Sequence, residues 1–341
     1  MCNSVNEKIR VGVIGCGRIS VMHLSAIYDI EATELVAVCD IVKERADEAA
    51  AKYGVAAYYD HIEMLKSEKL DAVHLCLPHY IHSKVAIDAF EYGVAVLTEK
   101  PMDVSYEAAA EAVRIAKEKN IQFGVIFQCR YNDPAVLVKA ALKSGKLGKI
   151  LSARSTLTWC RDASYYADSD WKGTWDKEGG GVIIDQAIHS IDLTNWMIDS
   201  KPTRITVALS KHSTKPLYVE DTADGYIEYE NGATYSFWCT NNYATDEPIE
   251  IRLFCENGKV TFGYTDAVIT YNDGSKEEAH QGEMKAVNGG KSYWGNWHAR
   301  QIEQFYRAYR GLEPLEISGE EALKIHSLIM KLYEIGRPNM K

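Results

Sequence analysis

The stretch Ile9–Asp29, IRVGVIGCGRISVMHLSAIYD, decides the fold of the first part of the chain. It opens with the apolar run Ile9–Ile14, which is typical of a buried strand, and a helical pattern follows over about residues 18–28. Between them Gly15 permits a tight turn, and Gly17 lets a phosphate approach the backbone closely. The helix N-terminus adds N–H groups and the positive end of its dipole. The stretch therefore predicts a dinucleotide-binding βα turn.

Two further residues refine this prediction. Ser20 stands where the motif usually has its third glycine, and a small side chain there still allows the helix to pack on the strand. Asp40 ends the next predicted strand, 20 residues beyond Ser20, where a carboxylate accepts hydrogen bonds from a ribose diol. Because it would repel a 2′-phosphate, the sequence favours NAD over NADP. A glycine-bearing turn with an ordinary strand-end aspartate is the alternative.

The pattern of the chain changes near residue 127. Before it, short apolar runs alternate with amphipathic helices, as in βαβ units whose parallel sheet is covered on both faces. After it, segments rich in β-branched and aromatic residues are separated by turn signals such as Glu230-Asn231-Gly232, which predicts a mostly antiparallel sheet. One helix over residues 184–198 interrupts this sheet, and helices over residues 294–310 and 320–335 close the chain.

The composition excludes several classes of protein. Acidic residues outnumber basic ones by 48 to 38 among 341 residues, for a formal charge of −10, whereas binding nucleic acid or an anionic membrane needs a basic face. No apolar run approaches the roughly 18–20 residues of a membrane span, and the N-terminus lacks the apolar core of a secretory signal. The eight cysteines form no C-x-x-C pair, so we expect reduced thiols and a cytoplasmic location.

Two strand ends carry candidate site residues, because ligands of open parallel sheets bind outside the carboxyl ends of the strands. Glu99 and Lys100 follow the apolar run at residues 95–98, and a lysine there can donate to a substrate oxygen and stabilise negative charge on it. A solvated surface pair is the alternative for these two residues. Residues 77–79 end another strand, and His82 follows; they either line the cofactor site or begin a helix.

The stretch Glu178–Leu193, EGGGVIIDQAIHSIDL, is the most informative part of the second half. In a helix Asp185 and His189 share a face, with Asp192 nearly in line. A histidine beside a carboxylate is suited to accept a proton near neutral pH, which alcohol oxidation requires as the hydride leaves. A metal site is a second interpretation, but no H-E-x-x-H or similar signature supports it, and we predict none. A satisfied buried histidine is the third.

Together these motifs resemble the Gfo/Idh/MocA oxidoreductase family over nearly the whole chain. The matching stretches include the glycine turn with Asp40 and residues 75–102, 145–150 and 171–192. The resemblance implies an α/β Rossmann domain at residues 1–127, followed by an α+β domain at residues 128–341 with a large open, mostly antiparallel sheet. The second domain is expected to bind substrate and to form a homo-oligomer, a dimer or tetramer, with the closing helices free to pack back on the first domain.

The resemblance also implies a reaction. Family members use NAD(P) to oxidise or reduce a ring hydroxyl of a sugar or cyclitol, and the family's lysine and D/N-x-x-x-H pair correspond to Lys100, Asp185 and His189. We expect His189 to remove the hydroxyl proton, Asp185 to orient and charge the imidazole, and Lys100 to steady the developing alkoxide. Asp185 is similar to the inositol-dehydrogenase pattern, whereas residues 186–189 with Trp171-Lys172-Gly173 are closer to members acting on hexopyranosides and nucleotide sugars.

Aromatic and cationic residues before the glycine triplet are candidates for the substrate wall, because aromatic faces stack on sugar rings; a subunit interface is the alternative. The predicted substrate-binding residues are Lys100, Arg130, Arg161, Tyr165, Trp171, Lys172, Asp185 and His189. The predicted cofactor-binding residues are Gly15, Gly17, Arg18, Ile19, Asp40, Leu77, Pro78, His79, His82, Glu99, Lys100 and Gln128. Asn241, Tyr243 and His298 are further candidates.

Three rival functions stay open. A redox-neutral NAD-dependent glycosidase of the same superfamily uses the same early chemistry, so the three catalytic candidates do not separate it from a dehydrogenase. A non-catalytic cofactor-binding regulator needs no base, and the joint presence of Lys100, Asp185 and His189 speaks against it. A tetrapyrrole or dihydrodiol reductase fits the polar, aromatic loop before the glycine triplet less well.

Overall fold

The computed structural model describes residues 7–167, 169–213, 217–282 and 297–340. The chain divides into two compact units. Unit 1 comprises residues 1–128 and 284–324, and unit 2 comprises residues 129–283 and 325–341. The functional assignment of residues 1–127 to the cofactor and of residues 128–341 to substrate and assembly stays a prediction.

Unit 1 is built on a six-stranded parallel sheet in the order β3-β2-β1-β4-β5-β6. Its strands are β1 (Ile9–Ile14), β2 (Thr33–Cys39), β3 (Ala56–Tyr58), β4 (Ala72–Leu75), β5 (Ala95–Thr98) and β6 (Phe123–Val125). Its first five helices are α1 (Ser20–Asp29), α2 (Lys43–Tyr53), α3 (His61–Ser67), α4 (His82–Glu91) and α5 (Tyr106–Glu118). The prediction of a parallel α/β sheet is confirmed. The short β3 and α3 were not predicted, because three partly exposed residues carry little strand signal.

The core of unit 1 includes residues from late in the chain. Helix α9 (Trp297–Tyr309) packs along α1 and contributes Ile302, Phe305 and Tyr306 to the same apolar cluster as β1, β4 and β5. A Cβ on Gly124 of β6 would lie 2.9 Å from the Phe305 ring, so the strand accepts this helix only with glycine there. Residues 294–296 of the predicted helix lie outside the described residues.

Unit 2 contains an eight-stranded sheet in the order β14-β13-β12-β11-β7-β10-β9-β8. Its strands are β7 (Ile150–Thr158), β8 (Pro202–Ser210), β9 (Thr222–Tyr229), β10 (Thr234–Thr240), β11 (Glu250–Cys255), β12 (Gly258–Phe262), β13 (Asp266–Tyr271) and β14 (Lys276–His280). Strands β7 and β10 pair in parallel and the other neighbours pair antiparallel, which confirms the predicted sheet. The remaining helices are α6 (Asp133–Lys143), α7 (Ala163–Ala167), α8 (Ile188–Ile198) and α10 (Gly319–Gly336), of which α10 begins in unit 1 and ends in unit 2.

The helix that carries Asp185 and His189 differs from the predicted regular helix over residues 184–198. It begins with a wider π-helical turn, Ile183–Ala187, before α8 continues it. Its opening amides donate to side chains from elsewhere in unit 2: that of residue 183 to Glu220 Oε1 (3.1 Å) and that of residue 184 to the Tyr333 hydroxyl (3.1 Å). Outside acceptors thus hold the first turn open. Such turns are rare and occur frequently at functional sites.

The close approach of Tyr333 and Glu220 to the backbone explains the glycines before this turn. A Cβ on Gly180 would lie 2.1 Å from the Tyr333 hydroxyl, and one on Gly181 would lie 1.8 Å from the Glu220 carbonyl oxygen. Tyr333 in turn donates to Glu220 Oε1 (2.8 Å). Burial raises the pKa of Glu220 to about 7. Glycine at these positions is therefore what lets the two acceptors reach the start of the helix.

Among the residues that the structure describes, no helix combines the length and apolarity needed to cross a membrane. The seven cysteines in that part of the chain are free thiols.

Removing the Phe305 ring tests whether α9 belongs to the core of unit 1. Phe305 is fully buried, so we expect Phe305→Ala to lower the free energy of unfolding by about 3–5 kcal/mol through lost burial and a residual cavity. Tyr28→Ala is the matched control, because that ring in α1 is 69% exposed and its loss should cost less than about 0.5 kcal/mol. Urea denaturation measures both values. An equally small change in the two variants would contradict this packing.

Candidate functional site

The loop between β1 and α1 has the geometry of a phosphate-binding turn. Gly15 has a φ of +94°, and a Cβ there would lie 2.3 Å from the Cys76 carbonyl oxygen, so only glycine fits. At Gly17, by contrast, a Cβ would meet no atom within 4 Å. The backbone at Gly17 is therefore open to a ligand. Ser20 donates through Oγ to the Gly17 carbonyl (2.7 Å), and serine thus replaces the third glycine while bracing the turn.

Asp40, directly after β2, is hydrogen-bonded to this loop. Its Oδ2 accepts from the backbone N–H of Cys16 (2.8 Å), and its Oδ1 accepts from that of Val42 (2.8 Å). A carboxylate oxygen has more than one acceptor site, so each oxygen can still accept from a ribose hydroxyl. The open backbone at Gly17, the N-terminus of α1 and this carboxylate together fit a dinucleotide.

The segment after β5 begins with a buried carboxylate. Glu99 Oε1 lies 3.1 Å from His23 Nε2 and 3.2 Å from His298 Nε2, and Oε2 accepts from the backbone N–H of Lys100 (3.2 Å). Burial alone would raise the pKa of Glu99, but the hydrogen bonds from the two histidines hold it well below its usual range. Glu99 is therefore an anion inside unit 1. The Lys100 side chain stays partly exposed.

The other predicted cofactor residues lie in loops of unit 1. Residues 18 and 19 join Gly17 to α1, and residues 77–79 follow β4. His82 begins α4 and donates from Nδ1 to the Pro101 carbonyl (2.7 Å); burial lowers its pKa, so the ring is neutral. Gln128 Oε1 is a buried acceptor with no hydrogen-bond partner in the described part of the chain. The cofactor contacts of these residues stay predictions.

Asp185 is the centre of a polar cluster in unit 2. Its Oδ2 accepts hydrogen bonds from the Tyr165 hydroxyl (2.5 Å), Lys172 Nζ (3.0 Å) and Gln186 Nε2 (2.6 Å). Burial would lower the pKa of Lys172, but the charge of Asp185 and the neighbouring Tyr165 outweigh burial and raise it. Lys172 is thus a buried ammonium, and Asp185 is the carboxylate that it neutralises.

Further polar side chains surround this cluster. Asn241 donates from Nδ2 to Gln186 Oε1 (3.1 Å) and to the Tyr166 hydroxyl (3.0 Å). Glu178 lies 3.8 Å from Lys172 Nζ, and burial, followed by the charge of Asp185, raises its pKa to about 8. The sequence prediction missed the roles of Glu178 and Gln186 here. A charged residue beside a glycine triplet and an amide beside the candidate aspartate were the available signals.

Exposure separates Asp185 and His189 from the residues around them. Across residues 181–190 these two side chains alone keep partial exposure, and the other eight positions are buried. Within this stretch the two residues predicted to form the pair are thus the accessible ones.

The predicted substrate-binding residues of unit 2 fall into two groups. Tyr165, Trp171 and Lys172 gather near Asp185, with Lys172 Nζ lying 4.2 Å from the Tyr165 ring centre and 4.9 Å from that of Trp171. The two arginines instead bind other carboxylates. Arg130 forms a buried two-point ion pair with Asp192 (2.8 and 2.5 Å), and Arg161 Nη1 contacts both oxygens of Asp246 (3.0 and 3.1 Å).

Family models account for most of the chain. Residues 9–127 match an oxidoreductase family model described as an NAD-binding Rossmann fold, and residues 136–261 match the GFO/IDH/MocA C-terminal domain. The chain belongs to the Gfo/Idh/MocA family. The predicted family, the oxidoreductase class and NAD as the cofactor are therefore confirmed.

Relatives from this family span three quarters or more of the chain. D-Glucoside 3-dehydrogenase of Escherichia coli is 26% identical over 96% of this chain and 95% of its own length. The NAD(+)-dependent scyllo-inositol 2-dehydrogenase of Bacillus subtilis is 26% identical over 76% of this chain and 75% of its own. The WlbA dehydrogenase of Bordetella pertussis, solved with NADH and UDP-GlcNAcA, superposes with a TM-score of 0.84 at 27% identity, covering 98% of both chains.

A side chain at Gly17 should block the cofactor without disturbing the fold. We expect Gly17→Val to raise the NAD dissociation constant at least about tenfold, or about 1.4 kcal/mol, because the β-branched group occupies the space that the pyrophosphate needs. The unfolding free energy should change by less than about 1 kcal/mol, since the new Cβ meets no protein atom. Isothermal titration calorimetry and urea denaturation give the two values.

Gly282→Val is the matched control, because a Cβ at Gly282 likewise meets nothing within 4 Å. It should leave NAD affinity unchanged. Wild-type NAD affinity in Gly17→Val would contradict the assignment of the loop to the cofactor.

Proposed function

We propose that this chain is an NAD-dependent dehydrogenase that oxidises a secondary hydroxyl of a sugar, sugar derivative or cyclitol, or reduces the corresponding ketone. The observation that carries the proposal is that Asp185 and His189, predicted to share a helix face, are the two partly exposed residues among residues 181–190. Family membership supports it, as do relatives that are named dehydrogenases of glucosides and inositols.

His189 is the general base in this proposal. Its imidazole accepts the hydroxyl proton and becomes a cation, and an anion on the same helix face lowers the energy of that cation. Asp185 supplies the anion, because three donors keep it ionised: Tyr165, Lys172 and Gln186. Bound NAD supplies the hydride acceptor.

Lys100 is the electrophilic partner of the base. Its ammonium donates a hydrogen bond to the reacting oxygen and stabilises the negative charge that develops on that oxygen as its proton leaves ahead of the hydride. Glu99 accepts a hydrogen bond from the backbone N–H of Lys100. This bond fixes the position of the backbone from which the lysine side chain extends. Gly15, Gly17 and Asp40 hold the dinucleotide, together with the loop residues assigned to the cofactor above.

Three of the four cationic residues assigned to the substrate, all but Lys100, lie in unit 2 and favour an uncharged polyol. Each already meets a carboxylate within unit 2, so none has a full charge to offer an acidic substrate. The pairs are Lys172 with Asp185, Arg130 with Asp192, and Arg161 with Asp246. A uronate that took the place of Asp185 or Asp192 would leave that largely buried carboxylate without its counter-charge, which is unfavourable.

Substrate selectivity tests whether the ion-paired cations of unit 2 favour an uncharged substrate. We expect kcat/KM for neutral hexopyranosides or inositols to exceed that for the matching uronates at least about tenfold, the effect of about 1.4 kcal/mol. Initial rates of NADH formation across paired neutral and acidic substrates give the ratio. A preference for the uronate members would contradict it.

Replacing the base tests the proposed mechanism. His189→Ala should lower kcat by about 10²–10⁴, the usual contribution of a positioned general base, while NAD affinity stays near the wild-type value. His280→Ala is the matched control, because that histidine is 66% exposed beside Asp266 elsewhere in unit 2. Unchanged turnover in His189→Ala would remove His189 from this role.

The same assay separates the rival functions. A dehydrogenase accumulates NADH in proportion to oxidised substrate, whereas a redox-neutral glycosidase releases an aglycone without net NADH. A cofactor-binding regulator would bind NAD and give neither product. The homo-oligomer and the cytoplasmic location stay predictions.

A further inference from the structure

Five buried side chains of unit 1 form one continuous chain of hydrogen-bonding contacts. The Tyr306 hydroxyl lies 2.6 Å from His74 Nε2, and His74 Nδ1 lies 2.7 Å from His23 Nδ1. His23 Nε2 and His298 Nε2 then meet the same oxygen of Glu99, at 3.1 and 3.2 Å. We call these five residues the imidazole chain. Its members come from α9, β4, α1 and the end of β5.

The direction of donation along the imidazole chain is determined at its carboxylate end. An ionised carboxylate only accepts hydrogen bonds, so Nε2 of both His23 and His298 must carry a proton. Burial lowers the pKa of His23 and, more strongly, that of His74, so these rings are neutral and each bears a single proton. His23 Nδ1 is therefore a bare acceptor.

The positions of the protons on His74 and Tyr306 follow from this assignment. Because His23 Nδ1 is bare, His74 must donate from Nδ1, which leaves His74 Nε2 bare. The Tyr306 hydroxyl can then only donate to it. Each step is a donor facing an acceptor, and the one ring nitrogen left over is Nδ1 of His298, which is buried and has no partner among the described residues.

The imidazole chain ends beside Lys100. Glu99 Oε2 accepts from the Lys100 backbone N–H (3.2 Å), and on the other side of Lys100 the Pro101 carbonyl accepts from His82 Nδ1 (2.7 Å). Hydrogen bonds to buried side chains of unit 1 thus hold the backbone at Lys100 itself and at the next residue.

We propose that the imidazole chain is a positioning device for Lys100: its one-way order of proton donation locks Glu99, and Glu99 locks the backbone from which Lys100 reaches the substrate oxygen. The proposal rests on the role given to Lys100 in the proposed function. His23, His298 and Glu99 act through Lys100, so they are positioning residues and not catalytic ones.

A metal ion is the competing interpretation of the same atoms. His23 Nε2, Glu99 Oε1 and His298 Nε2 lie within 4.8 Å of one another and have the composition of a zinc ligand set. A metal would need Nε2 bare on both histidines, and the proton of His23 would then move to Nδ1. Every donor of the chain beyond it would reverse. Hydrogen bonds of ordinary length already satisfy these three atoms, so the proton-ordered chain is favoured.

The two arrangements differ in their histidine tautomers, which NMR reads without any activity assay. In long-range ¹H–¹⁵N correlation spectra of the full chain labelled at histidine, we expect His23 and His298 protonated at Nε2 and His74 at Nδ1. Single His→Gln variants assign the signals, and metal analysis accompanies them. His74 protonated at Nε2, His23 at Nδ1, or one equivalent of zinc in the purified protein would overturn the proposal.

The positioning role itself is tested at His298. We expect His298→Leu to lower kcat by up to about 100-fold, the effect of roughly 1 Å of misplacement at a reacting group, with little change in the NAD dissociation constant. His298→Gln should recover most of kcat, because its amide N–H₂ can donate from the place of Nε2. His61→Leu is the matched control, since His61 also pairs with a carboxylate of unit 1, Asp88, but away from Lys100.

The outcomes separate the two proposals. Equal kcat in His298→Leu and wild type, or equal losses in the Leu and Gln variants, would overturn the positioning role even if the tautomers are as expected. If instead His189→Ala keeps full turnover while the His298 pair behaves as expected, the proposed base is wrong and the positioning of Lys100 stands.

Discussion

The largely buried carboxylate of Asp185 is the constraint around which its surroundings in unit 2 are arranged. Taking such a charge out of water is strongly unfavourable unless a counter-charge and hydrogen-bond donors replace the solvent. Tyr165 of α7 and Lys172 of the loop that follows provide these, and Gln186 provides a third donor from the helix itself. The loop must therefore return to the helix at this point, and the aromatic rings of the loop come with it. Because Lys172 and Asp185 balance each other, this pair offers no surplus positive charge to a ligand.

Hydrogen bonds to buried side chains also fix the start of the helix that carries Asp185. Its first backbone N–H groups donate hydrogen bonds to Glu220 and Tyr333, and the glycines at positions 180 and 181 let these acceptors approach. Unit 1 uses carboxylates in an equivalent way: Asp40 ties the glycine turn to the end of β2, and Glu99 ties the Lys100 segment to buried histidines. Each candidate functional loop is thus fixed by an acidic side chain that accepts from buried donors.

The sequence predicts those features that depend on residues close together in the chain. The alternation of apolar runs and helices predicted the parallel sheet, and the residues from Gly15 to Ser20 predicted the glycine turn, because residues close together in the chain decide both. The π-helical turn was not predictable from its own residues, since its acceptors lie 37 and 149 positions further along the chain. The same holds for the imidazole chain, in which His74 and Tyr306 are 232 positions apart. The partners of Arg130 and Arg161 were missed for this reason too.

The central claim is that His189, supported by an anionic Asp185, takes the proton as hydride leaves the substrate. The most direct measurement is the pH dependence of the single-turnover rate of NADH formation in wild-type protein and in His189→Ala. We expect the wild-type rate to fall on the acid side as one base becomes protonated, and this acid limb to be absent from the slow reaction of the variant. An acid limb of the same shape and midpoint in His189→Ala would show that another group is the base and would contradict the account.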